Sequence, residues 1–132
     1  STELIDGLER VKNSFNSYPL DMLAQVTAIA AINDDAYFIK TTQQIIKTRE
    51  WTNEQLSALG FKVIPSKTNF VFASHRYIEA AELMGFLRTH QILVRHFSRP
   101  GIDNHLRITV GTEDEMQAMI NCLKRHPDII SI

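Results

Sequence analysis

The sequence predicts an α/β domain of the α+β kind: a small, mainly antiparallel sheet covered by helices on one face, preceded by a long helix. Three observations carry this. Apolar residues recur at helical spacing until about residue 59. The period then changes to that of strands around Phe61–Ile64 and Asn69–Ala73. Helical spacing returns twice afterwards, separated by two further strand-like runs, which gives a β-β-α-β-β-α order rather than the regular alternation of a large doubly wound sheet.

The elements follow in order. Leu4, Ile5, Leu8 and Val11 predict a short helix over residues 2–11, weakened by Gly7. Lys12 to Pro19 is a polar connecting segment with Phe15 and Tyr18 set into it. Pro19 suits the first turn of a helix over residues 20–32, where Leu20, Leu23, Ala24, Ala28 and Ala31 form a face small enough for close packing against a neighbour. Asn33-Asp34-Asp35 breaks that run and caps a long helix from about residue 35 to 59. Phe38, Thr41, Ile45 and Thr48 or Arg49 mark its side, and Gly60 is its left-handed stop. Strands are expected at 61–64, 69–73, 92–95 and 105–110, and a helix at 77–89. Pro100-Gly101 marks a turn. Thr112-Glu113-Asp114-Glu115 has the spacing of a capping box and opens the last helix.

Composition narrows the function classes. With 44% apolar and 22% charged residues the chain reads as globular, and 14 basic against 15 acidic residues leave no footprint for nucleic acid or an anionic membrane. No apolar run approaches the roughly 20 residues of a membrane span. Cys122 is the only cysteine, which excludes an internal disulfide and fits a reducing, cytoplasmic setting. The N-terminal residues lack the pattern of a signal peptide. Gly-rich phosphate loops, nucleophile elbows and paired-histidine metal motifs are missing. His75, His90, His96, His105 and His126 are scattered and read as surface or local structural residues, so no metal is expected. Trp51 and Cys122 read as packing residues.

Two arginines remain. Arg95 ends the apolar run Ile92-Leu93-Val94, and Arg107 lies within Leu106-Arg107-Ile108-Thr109-Val110. Alternation puts Arg107 on the strand face opposite Leu106 and Ile108. That face is either open solvent, with Arg107 merely exposed, or a place where the planar fork of a guanidinium holds a carboxylate or phosphate. Similarly, Lys12 to Tyr18 is either a hydrated linker or the polar edge of a site.

Several blocks resemble one family. Arg10 to Asp21 is similar to the segment that joins the large and small domains of histidinol-phosphate aminotransferases, members of the class I/II, fold-type I group. Leu59-Gly60-Phe61-Lys62-Val63-Ile64-Pro65-Ser66, Asn69-Phe70-Val71-Phe72, Ile92 to Arg95 and Leu106 to Thr112 resemble the family's later blocks in order and spacing. The resemblance runs from about residue 3 to 124. It implies an interdomain segment over residues 1–19 and a C-terminal small domain over 20–132, which closes over substrate.

It also implies an activity for the longer enzyme: amino transfer between L-histidinol phosphate and 2-oxoglutarate, with pyridoxal phosphate as cofactor, in a cytoplasmic homodimer. By position, Arg107 matches the arginine that grips the acidic group of the phosphorylated or dicarboxylic substrate. Arg95 matches a second basic residue there, and Asn16 and Tyr18 border the site. The family's cofactor-bearing lysine has no counterpart: Ser66-Lys67 has the dipeptide, but Thr68-Asn69-Phe70 follows it where the family has a Gly-rich stretch. The chain alone is therefore expected to be inactive and to hold no tightly bound cofactor. Threonine-phosphate decarboxylases are similar enough to stand as an alternative. A freestanding regulatory domain that binds a small molecule is another, and the helical first 60 residues argue against it.

Overall fold

The structure, a computed structural model, describes residues 1–15 and 20–130. Asn16 and Tyr18 lie outside the described residues. The elements are α1 (Thr2–Phe15), α2 (Met22–Asn33), α3 (Asp35–Ala58), β1 (Phe61–Ile64), β2 (Phe70–His75), α4 (Ala80–Thr89), β3 (Arg95–His96), β4 (Leu106–Thr109), α5 (Glu113–Leu123) and α6 (Pro127–Ile130). Two compact units divide the chain, residues 1–39 and 40–132.

In the first unit, α1 runs further than its apolar spacing predicts, through the polar Lys12-Asn13-Ser14 stretch to Phe15. Ser14 is accommodated there with its hydroxyl donating to the Arg10 carbonyl one turn back at 2.6 Å. α2 starts after Asp21, which caps it by accepting the Ala24 N–H at 2.7 Å on its carboxylate; Pro19 lies outside the described residues. The 20–32 face is bare, as expected for a small domain by itself. Met22, Leu23, Val26, Ile29 and Ile32 are exposed, and α2 buries nothing. Leu4, Ile5, Leu8 and Val11 of α1 are exposed as well.

The second unit holds the core. Asp34, still within the first unit, caps α3 as expected, accepting the Tyr37 N–H at 3.0 Å. Gly60 ends it with φ +86°, a backbone conformation costly for any residue with a Cβ, and the His75 ring fills the adjacent space. All strand pairs are antiparallel, in the order β1-β2-β4-β3. Along β2, Val71, Ala73 and His75 are buried while Phe70, Phe72 and Ser74 are half-buried on the other face. The buried face, with Leu106 and Ile108 of β4, packs with Leu83 and Leu87 of α4, Met116, Met119, Ile120 and Leu123 of α5, and Leu56 of α3. Helices thus cover one face of the sheet, as the alternation predicts.

Two boundaries differ. The strand expected over 92–95 is reduced to Arg95 and His96. Gln91 takes a left-handed φ of 62°, and the Ile92 N–H still bonds back to Leu87, so residues 92–94 are spent turning off the end of α4. The helix expected from residue 77 starts at Ala80 instead, because His75 Nδ1 accepts the Tyr77 and Ile78 N–H groups and the Asn104 side chain accepts that of Ala80. The capping box forms in full: the Thr112 hydroxyl accepts the Glu115 N–H, and Glu115 accepts the Thr112 N–H at 2.7 Å. Those bonds from Thr112 hold the Glu115 carboxyl below its ordinary pKa. The short α6 is unanticipated; His126 Nδ1 accepts its Asp128 N–H at 3.3 Å.

His75 ties the unit together. Its Nδ1 accepts two backbone N–H groups, which leaves the proton on Nε2 to donate to the Leu59 carbonyl at 3.0 Å. Burial pushes its pKa below the ordinary 6.5 against the opposing Leu59 bond, and the nearby His126 and Arg76 lower it further. The unfolded chain therefore binds a proton that the fold rejects. The stability due to neutral His75 is complete above pH 6.5 and is lost as pH falls through the lower folded value. Urea midpoints measured across this range should decline toward acid, and His75→Gln should flatten the decline; an equally steep fall in the variant would assign it to other groups.

Candidate functional site

The sheet face away from the helices carries the candidate residues. β4 lies between β2 and β3, and its register sets Arg107 directly opposite both Phe72 and Arg95. Residues opposed in antiparallel strands point to the same face, so the two arginines stand together. Arg107 is half-buried and Arg95 exposed.

Aromatic rings form the floor. The Arg107 guanidinium lies 5.6 Å from the Phe70 ring centre and 6.0 Å from that of Phe97; Arg95 lies 5.0 Å from Phe97. Phe72 meets Phe97 edge-on at 6.3 Å and stacks on His105 at 4.7 Å. Such ring–cation contacts contribute about 0.5–1 kcal/mol each at exposed sites. Among the described residues, no carboxylate pairs with either arginine. Two like charges directly opposed on a ladder are destabilising. The aromatic floor offsets part of that cost, and an oxyanion between the forks would remove the rest. The arrangement can bind a carboxylate or phosphate by charge-assisted, bidentate hydrogen bonds.

Arg107 is placed where alternation predicts, and Arg95 is brought beside it. The aromatic floor was missed. Phe70 and Phe72 were legible as a same-face pair two residues apart, but Phe97 follows β3 and joins them only through the fold.

The chain's own residues do not fit a covalently held pyridoxal phosphate. An amine that bonds a carbonyl cofactor sits in a desolvating pocket or against another cation. Lys12, Lys40, Lys47, Lys62, Lys67 and Lys124 are all exposed, and Lys47 pairs with Glu113 at 2.8 Å. Glu82, His126 and Asp128 bring three ligand atoms within 4.8 Å of one another. His126 Nδ1 accepts the Asp128 N–H, and its Nε2 faces Glu82 at 3.7 Å. Among the described residues, no helix is long and apolar enough to cross a membrane.

Comparison with known proteins adds an independent line. The family described as aminotransferase class I and II matches residues 1–123. The chain is 56% identical over 125 residues to histidinol-phosphate aminotransferase 1 of Bordetella parapertussis, a match covering 95% of this chain and 35% of that protein. It thus spans about a third of the length of the curated relatives it matches. The histidinol-phosphate aminotransferase structure from Clostridium acetobutylicum aligns with a TM-score of 0.77 over 94% of this chain and 38% of that one; at 23% identity it speaks for the fold. The Sinorhizobium meliloti histidinol-phosphate aminotransferase, solved in complex with pyridoxal-5'-phosphate, aligns with a TM-score of 0.68 at 26% identity, over 79% of this chain and 28% of that one. With the family match running from the first residue into the end of α5 and the same fold in solved relatives, the chain belongs to the class I and II aminotransferase family.

Proposed function

We propose that this chain is the substrate-closing small domain of a pyridoxal-phosphate-dependent histidinol-phosphate aminotransferase, with residues 1–19 as the interdomain segment and 20–132 as the domain itself. The observation that carries this is the opposed pair Arg95 and Arg107, without an acid among the described residues, above an aromatic floor. The 56% identity to the Bordetella parapertussis enzyme supports the choice of reaction. That reaction converts L-histidinol phosphate and 2-oxoglutarate to imidazole-acetol phosphate and glutamate. All four are anions, and a paired guanidinium fork serves phosphate and carboxylate in turn.

On this reading Arg107 grips the acidic group and Arg95 closes on its other side, while Asn16 and Tyr18 border the site. Closing the domain over substrate excludes water, which strengthens each guanidinium bond. The lysine and the remaining contacts for pyridoxal phosphate come from sequence outside these 132 residues, because no lysine here is placed for that work. The longer enzyme is a cytoplasmic homodimer.

Inorganic phosphate titrated into the chain should shift the side-chain N–H resonances of Arg95 and Arg107 saturably. Arg107→Lys keeps the charge and loses the fork, so affinity should fall about tenfold, the equivalent of roughly 1.4 kcal/mol for one charge-assisted bond. Equal affinity in Arg107→Lys and Arg95→Gln would place the anion elsewhere. Mixing the chain with pyridoxal phosphate and reducing with borohydride should give no stoichiometric adduct on a single lysine. One such adduct would show a cofactor centre within this chain.

A further inference from the structure

The buried Arg49 on α3 has no part in the site just described. It is 7% exposed, donates from Nη1 to the Thr68 carbonyl at 2.9 Å, and leaves its buried Nε–H without a partner. Among the described residues no carboxylate pairs with it. Burying a guanidinium for a single hydrogen bond among the described residues is costly, and an apolar side chain of similar volume is often as stabilising or more so. Packing alone gives no reason for an arginine at this position.

Its bond holds a carbonyl that matters. Thr68 sits in a tight local network: its N–H donates to the Ser66 hydroxyl at 3.1 Å, its own hydroxyl lies 2.8 Å from that of Ser66, and it accepts the Phe70 N–H at 3.4 Å. The next residue, Asn69, accepts the Val110 N–H at 2.9 Å, after which Phe70 opens β2 opposite Thr109. The Phe70 ring then lies under Arg107.

We infer that Arg49 is a positioning residue for the arginine face: by fixing the Thr68 carbonyl it sets where β2 starts, and so where Phe70 stands beneath Arg107. It touches no substrate and acts through Phe70. The inference rests on the reading of that face as the anion site, but its geometry is measurable without an anion.

The test uses the whole chain carrying Arg49→Met, which keeps volume and removes the bond, and Arg49→Lys, which can still donate once to Thr68. Urea midpoints, the Arg107 Nε–H resonance (shifted by the Phe70 ring current) and phosphate affinity are read for each. Arg49→Met should be at least as stable as the parent, yet its Arg107 resonance should move toward that of a Phe70→Leu variant. Phosphate affinity should weaken about two- to tenfold, the range for reordering one side chain, and Arg49→Lys should recover part of both changes. If Arg49→Met does not fold, Arg49→Lys is read against the parent in the same way. An unmoved Arg107 resonance in the folded variant overturns the inference. A moved resonance in a chain that takes up no phosphate keeps Arg49 as positioning and overturns the anion reading instead.

Discussion

The register of β4 is the constraint on which the rest depends. As an inner strand of the sheet it commits Leu106 and Ile108 to the core and Arg107 to the opposite face. A slip of one residue would drive the guanidinium into the packed layer against Val71 and Ala73 and expose two apolar side chains, so the hydrophobic core enforces the geometry of the site. The same register puts Arg95 opposite Arg107, which concentrates positive charge where no carboxylate among the described residues pairs with it. The helical layer beneath supports this by ordinary means: an aspartate cap and a glycine stop on α3, and a full capping box on α5.

Much of this was legible in the sequence because the signals are local. Gly60 and the Thr112–Glu115 box act within one turn of their own backbone, and the alternation of β2 and β4 is set by pleat geometry. Elements that depend on distant contacts were not. Ile92-Leu93-Val94 has strand composition, yet those residues turn off α4, and neither the left-handed Gln91 nor the Ile92 bond to Leu87 has a sequence signature. Phe97 and Arg49 belong to the account only because the fold brings them to Arg107 and Thr68. The apolar spacing of α1 and α2 predicts helices, and the expectation that a small domain by itself leaves their apolar faces bare agrees with the exposure of Leu8 and Ile29. Resemblance to the aminotransferase family supplied what pattern could not, a reason to prefer anion binding over simple exposure for Arg107.

On the proposed function, the exposed lysines imply a division of labour. Recognition of a charged substrate requires only a fork of donors in a fixed place, the role proposed for Arg107 on this small sheet. Covalent chemistry requires a desolvated amine, which this sheet and its helices do not provide. A domain can therefore carry the specificity of an enzyme while its reactive group is supplied elsewhere in the enzyme.

The central claim is that Arg95 and Arg107 are held against their mutual repulsion because an anion is meant to lie between them. A double-mutant cycle on chain stability, built from Arg95→Gln and Arg107→Gln with and without saturating phosphate, addresses it directly. The expected coupling is unfavourable without phosphate, by about 0.2–1 kcal/mol for opposed like charges, and becomes favourable when phosphate is present. A coupling near zero in both conditions, or one that phosphate leaves unchanged, would contradict the account.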